Sequence, residues 1–354
     1  MAQKANAFVV GRGDVGMMLI KLLEVKGHRV KHSLRAKDGL FAAEKRIKSW
    51  QGPPSTDADL AAFLDPNIDA VNVAFIAIPT HVDDEGRTAM RYIDYFLSRN
   101  IPVVTCEKGA LSHHFGRLKP HLGRIGYAAT VGGGTDMIEC LRRRQLQDAD
   151  AIVYVVLNGT LNKIWDQVVR GEAFDSAVAE AQALRYAEPN GSDSLGIVNG
   201  ELRDIRMKIA VLYNLAFANP GGPFLTASYS SSAQKGDGFV STALSEDDIQ
   251  HLTSWDTRYR YVVTFASIPD YNRGYAGGSN FANPGRWEIK GSFQNIKALS
   301  PTDIWLQQLP DVFNGFHIKK SGSKDTGHFG GGPGAGPETT AEAMIRDMNR
   351  LLNQ

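Results

Sequence analysis

The chain has 354 residues, 43% hydrophobic and 22% charged, a length that suggests two domains with sizeable cores. Lys and Arg total 39 against 38 Asp and Glu, which argues against a nucleic-acid or anionic-membrane binder. Two cysteines, Cys106 and Cys140, fit a reducing compartment, no signal-peptide core opens the chain, and the longest apolar stretch, Val71–Pro79, is too short to span a bilayer. The expectation is a soluble, cytoplasmic protein that acts on a small molecule, with neither nucleic acid nor membrane as partner.

In chain order, Ala7–Val10 reads as a strand, Gly11–Gly16 as a glycine-rich turn and Met17–Lys26 as a helix by its apolar spacing. Arg29–Leu34 is a second strand, followed by an irregular segment. Ala70–Ile78 is a strand closed by Pro79, Glu85–Arg99 a helix and Pro102–Thr105 another strand. Strands alternating with helices through short connections predict an α/β fold that starts with a doubly wound parallel sheet. After about Gly132 the texture changes. Ala151–Leu157 reads as a strand, and Glu172–Leu184 and Glu201–Leu215 as helices. Residues 219–300 are rich in Gly, Pro, Ser, Asn and aromatics, with strand candidates such as Arg260–Phe265. That mixture predicts an α+β domain with an irregular sheet. A glycine-rich loop, Gly330–Gly336, precedes a helix at Thr339–Leu352, with Thr339–Thr340 placed for an N-cap.

Gly11-Arg12-Gly13-Asp14-Val15-Gly16 is a G-x-G-x-x-G fingerprint between a strand and a helix. Its first glycine allows the tight turn, the second lets a pyrophosphate approach the backbone, and the third lets helix and strand pack closely. These six residues are therefore the candidate phosphate cradle of a Rossmann domain. The residue that meets the adenosine ribose is expected roughly 20 positions on, where a carboxylate would bind a 2′-hydroxyl. Arg35 stands there, with Lys37 two further. A cation favours a 2′-phosphate, so NADP is the expected cofactor and NAD the alternative; a plain solvated loop is the competing reading of Arg35 and Lys37. No H-E-x-x-H, paired C-x-x-C or G-x-S-x-G occurs, the neighbouring His113 and His114 diverge, and no metal site is expected. Cys106 reads as a packed strand end rather than a nucleophile.

Five stretches resemble the homoserine dehydrogenase family, in its order. VVTCEKG (103–109) resembles the family's VVTANKG, YAATVGGG (127–134) its YEATVGGG, and LNGTLN (157–162) its LNGTTN. YAEP (186–189) is similar to YTEP, and GPGAG (332–336) to the closing GPGAG. The resemblance implies NAD(P)-dependent interconversion of L-aspartate 4-semialdehyde and L-homoserine, a step toward threonine and methionine, in a short monofunctional form without an aspartate kinase. It implies three segments: a nucleotide domain at 1–133, a substrate-binding and dimerisation domain at 134–330, and a loop and helix at 331–354 returning to the nucleotide domain near the cofactor. A homodimer is expected.

For the site, the resemblance points to Lys208, with Asp204 one helical turn before it, as the first candidate for the proton-handling group. Lys108, at the carboxyl edge of the nucleotide sheet, is the second. Without the resemblance, an exposed helix ion pair is the readier reading of Asp204–Lys208. Glu188 and Asp193 are the expected ammonium ligands, with Gly159, Thr160 and Tyr186 as substrate contacts. Thr80 and Gly334 are expected beside the cofactor. Two departures stand out. Ser194 replaces the second of two adjacent acidic residues, and extra residues, Gly196-Ile197-Val198 and two more before Asp204, lengthen the segment; Glu201 could swing inward to replace the lost carboxylate. Ala128 stands where the family often carries a glutamate beside a monovalent cation. The rival readings are a related oxidoreductase acting on another amino or hydroxy aldehyde, and a non-catalytic dinucleotide sensor.

Overall fold

The computed structural model describes residues 3–50, 56–80, 82–146, 150–187, 193–218, 224–227, 243–253, 259–267, 287–295, 309–310, 312–320, 327–334 and 336–353. The chain divides into two compact units, Met1–Thr130 with Gly336–Gln354, and Val131–Ala335. No helix among the described residues is long and apolar enough to cross a membrane.

The first unit opens with β1 (Asn6–Val10), α1 (Asp14–Val25), β2 (Arg29–Arg35), β3 (Gly39–Ala42), β4 (Lys45–Ser49), α2 (Asp57–Leu64) and β5 (Val73–Ile76). It continues through α3 (Arg87–Ser98), β6 (Val103–Thr105), the short helices α4 (Gly109–His113) and α5 (Phe115–Leu118), and β7 (Ile125–Gly126). One seven-stranded sheet runs in the order β4-β3-β2-β1-β5-β6-β7. The pairs β2–β1, β1–β5, β5–β6 and β6–β7 are parallel. Residues in β1 and β5 are buried on both faces, as a doubly wound sheet requires. The chain order reverses beside β1, so the crevice between the carboxyl ends of β1 and β5 is the switch point where such sheets bind ligands.

Two expectations change here. The segment after β2 is not irregular: β3 and β4 form an antiparallel hairpin on the sheet edge. All five β4 residues are exposed, so Lys45, Arg46 and Lys48 leave no apolar alternation of the kind that marks a half-buried strand. The strand expected over Ala70–Ile78 is confined to β5, because Ala70 takes a left-handed φ of 59° and breaks the extended run.

The second unit comprises α6 (Met137–Arg143), β8 (Ala151–Val156), α7 (Gly159–Val169), α8 (Phe174–Ala183), α9 (Ser194–Leu212), α10 (Glu246–Leu252), β9 (Tyr259–Ser267), β10 (Trp287–Asn295), β11 (Phe313–Lys320) and β12 (His328–Pro333). The five strands form one antiparallel sheet, order β10-β9-β8-β11-β12. Helices cover the face that carries Tyr261, Phe265, Trp287 and Phe293. Phe217, just past α9, stacks on Phe265 at 4.3 Å and meets Trp287 edge-on, while Trp165 of α7 lies 4.8 Å from Phe293. A buried ion pair, Arg260 on β9 to Asp166 on α7 at 2.7 Å, fixes helix to sheet.

Half of the expected glycine loop is strand: Gly330 to Pro333 pairs with β11. Glycine is needed there because a Cβ on Gly330 would run into the Phe316 ring. The last helix, α11 (Pro337–Leu352), starts earlier than expected. Gly336 is its N-cap, so Thr339 and Thr340 are not caps; Thr340 Oγ1 donates back to the Gly336 carbonyl at 2.9 Å from inside the first turn. Within the first unit α11 packs on α1, joining Ala341, Met344 and Met348 to Leu19 and Leu23.

Candidate active site

In the first unit the glycine loop turns at the carboxyl end of β1. Gly11 has φ +112°, and a Cβ there would collide with the Ala77 carbonyl just past β5; a Cβ on Gly16 would collide with the Gly11 carbonyl. Around Gly13 there is open space, and no side chain caps α1. A helix start at the switch point with no side-chain cap and room beside Gly13 fits a pyrophosphate, and Gly11, Gly13 and Gly16 would form its cradle with the backbone of Asp14 and Val15. Arg12 turns away from the loop toward the β3–β4 hairpin, with Nη1 2.6 Å from Ser33 Oγ. Arg35 ends β2 as expected and pairs with Asp38 at 3.0 Å, while Lys37 lies in the turn that follows.

Thr80 follows β5 and is buried; its hydroxyl receives the Lys108 ammonium at 3.4 Å. Lys108 is held by its neighbour: buried Glu107 accepts the Gly109 N–H at 2.6 Å and the Ala110 N–H at 3.0 Å, capping the turn that carries the lysine. The resemblance indicated Lys108, while the capping role of Glu107 had no signal in the residue pattern. Burial pushes the Cys106 thiol up to about 12, against the pull of nearby Lys108. Ala128 donates its N–H to Asp347 of α11 at 2.6 Å. Among the described residues no group of three or more His, Cys, Asp or Glu could hold a metal.

In the second unit the LNGT turn between β8 and α7 is the centre. Asn158 caps α7, its Oδ1 accepting the Leu161 N–H at 2.8 Å. Gly159 is buried so closely that a Cβ would strike the Val312 carbonyl. Thr160 donates to the Tyr186 carbonyl at 2.8 Å, which places Tyr186 beside the turn through its backbone. From α9, Lys208 reaches the Leu157 carbonyl at 2.8 Å and Asp204 at 2.6 Å, with side chains 14% and 21% exposed. That partial burial separates the pair from an ordinary surface ion pair. An ammonium has three donors, and these contacts take two.

Glu201, one turn before Asp204 on the same face of α9, is buried and accepts from Asn158 Nδ2 at 2.5 Å. The helix starts at Ser194 rather than at the expected Glu201, so residues 196–198 lie inside it, and Glu201 itself is buried. Asp193 is the N-cap of α9, its carboxylate accepting the Gly196 N–H at 2.7 Å. Asn314, fully buried on β11, adds a 3.4 Å bond to the Leu157 carbonyl, and a Cβ on Gly334 would run into its amide. Nothing in the sequence pattern marked Asn314. Glu188 lies outside the described residues.

The sequence model of the homoserine dehydrogenase family matches residues 137–348, more than half of the chain. The chain belongs to the homoserine dehydrogenase family. An NAD(+)-dependent homoserine dehydrogenase of Pseudomonas canavaninivorans is 30% identical over 175 residues, 46% of this chain and 48% of the relative. A homoserine dehydrogenase of Helicobacter pylori is 29% identical over 226 residues, 61% of this chain and 50% of the relative. The chain thus spans about half the length of these homoserine dehydrogenases. Among solved structures, the homoserine dehydrogenase of Thermoplasma acidophilum superposes with a TM-score of 0.65 at 16% identity, covering 98% of both chains. A hyperthermophilic archaeal homoserine dehydrogenase in complex with NADPH gives 0.61 at 17% identity, over 98% of this chain and 97% of that one. At these identities the superpositions show the shared fold.

Proposed function

We propose that this protein is a cytoplasmic, homodimeric oxidoreductase that interconverts L-aspartate 4-semialdehyde and L-homoserine, on the route to threonine and methionine, with NADP preferred over NAD. The observation that carries the reading is the Asp204–Lys208 pair, held on the Leu157 carbonyl beside the LNGT turn in a chain of this family. When bound, the nicotinamide gives or takes the hydride. Lys208 handles the proton: in the reducing direction its ammonium donates to the developing alkoxide, and in the oxidising direction its amine accepts the hydroxyl proton. Asp204 holds the Lys208 Nζ and balances its charge. Gly159, Thr160 and Tyr186 shape the substrate contacts, and Glu188 and Asp193 are the proposed ammonium ligands. In the nucleotide unit, Gly11 through Gly16 hold the pyrophosphate, Arg35 and Lys37 the 2′-phosphate, and Thr80 fixes Lys108 near the nicotinamide end. Support for NADP comes from Arg35 at the ribose position and from the relative bound to NADPH.

A second reading, a related amino or hydroxy aldehyde as substrate, is favoured by Ser194 and by the use of Asp193 as a helix cap. The test follows nicotinamide absorbance with purified protein and L-homoserine. Turnover with NADP should fall by about 10²- to 10⁴-fold in Lys208→Ala while NADPH binding is kept. A Lys208→Ala enzyme with unchanged kcat refutes the proton role. A wild-type protein that binds NADPH yet ignores homoserine shifts the substrate to the second reading.

A further inference from the structure

Arg12 follows the first glycine of the phosphate loop, yet only 8% of its side chain is exposed. Its guanidinium lies over the Phe41 ring, 4.3 Å from the centroid. Nη1 donates to Ser33 Oγ at 2.6 Å and to the Ala43 carbonyl at 3.3 Å, and Nη2 donates to the Glu44 carboxylate at 2.9 Å. Three of these partners are neutral and fix the plane of the fork. Ser33 is buried on β2, two residues before Arg35, so the fork is anchored where the ribose of a nucleotide on this loop is expected. The fourth partner differs. Glu44 is 77% exposed and sits in the β3–β4 turn, where Ala43 takes a left-handed φ of 50°. An ion pair with so exposed a carboxylate contributes little. A phosphate dianion brings more charge to the same Nη2 donor that Glu44 engages with one oxygen. The neighbouring cation is held in a similar way, Arg35 by the partly exposed Asp38.

The geometry points to Arg12 as a further receptor of the 2′-phosphate of NADP, beside Arg35 and Lys37, with Glu44 as its internal competitor. The carboxylate occupies the fork in the free protein and gives way to the phosphate. A 2′-hydroxyl carries no charge with which to displace it. Glu44, outside the glycine motif, therefore sets how strongly the protein separates NADP from NAD. This rests on reading the glycine loop as a dinucleotide site.

The test is a fluorescence titration of the full chain with NADPH and with NADH, without substrate. Glu44→Ala should bind NADPH about two- to fivefold more tightly and NADH unchanged. Arg12→Met, which keeps an apolar stem on Phe41, should bind NADPH at least about tenfold more weakly, and removing Glu44 as well should then change nothing further. NADH weakened by Glu44→Ala, with NADPH unchanged, would make Glu44 a ribose ligand and overturn the inference. So would an equal change for both cofactors, or none. A wild-type chain that binds neither cofactor defeats the dinucleotide reading as well, whereas binding that ignores Arg12 and Glu44 defeats only this step.

Discussion

Three consecutive side chains, Cys106, Glu107 and Lys108, share a strand end and behave differently because of what surrounds them. Cys106 faces the end of β5, where burial holds its thiol protonated far above neutrality. Iodoacetamide at about pH 8 should therefore leave Cys106 unmodified in the folded protein and label it after denaturation, as mass spectrometry would show. Labelling of the native chain at Cys106 would reveal a reactive thiolate and reopen acyl-enzyme chemistry. Glu107 spends both carboxylate oxygens on backbone N–H groups, so its contribution is to the placement of Lys108. At this scale the sequence marks residues whose type suits the proposed chemistry, such as Lys108, Lys208 and Asp204. Residues that act through backbone groups, Glu107 and Asn314 among them, carry no such mark, since any capping or packing position could use the same type.

The helix α9 shows what an element adds to a residue list. Asp193 starts it, and Gly196, Ile197 and Val198 follow within its first two turns, with Ile197 and Val198 buried. Within it Glu201, Asp204 and Lys208 share one face at spacings of three and four, and Glu201 meets Asn158. Asp193→Ala should cost about 1 kcal/mol in thermal denaturation, and Asp193→Ser, which still caps, should recover most of it. A KM for homoserine that rises in both variants would show that the carboxylate also binds the ammonium. A KM that stays fixed would leave Asp193 with the cap alone. The alternating first-unit strands, the fingerprint turn and the long helices were legible because burial on both faces or a 3.6-residue period leaves a pattern. The β3–β4 hairpin and the strand half of the glycine loop were not. One is wholly exposed and charged on β4, and the other uses glycine to clear the Phe316 ring, so neither carries an apolar alternation.

At the scale of the whole molecule, the first unit is assembled from two distant parts of the chain, and Asp347 fastens them. Its carboxylate takes the Ala128 N–H and lies 3.2 Å from Arg350. Burial raises this carboxyl above its ordinary 3.8, with the Ala128 N–H and Arg350 opposing. The folded state then binds the proton more tightly than the unfolded chain, so stability from this group falls as pH rises from 3.8 through the raised value. Asp347→Asn keeps an acceptor for Ala128 and removes that slope. Its melting temperature relative to wild type should climb between about pH 4 and the folded value, then level off. A difference that is flat with pH would show that the carboxyl is not raised. The same two-part construction matters on the ribosome. The apolar stripe of α1, Leu19 and Leu23, emerges early, but the α11 residues that cover it follow Gly336. At roughly 5–20 residues per second, translation of the 321 residues from Leu23 to Met344 (344 − 23) leaves that stripe without its cover for on the order of 15–65 s. Codon usage and stalling across the second unit would thus govern how long chaperones can capture the first.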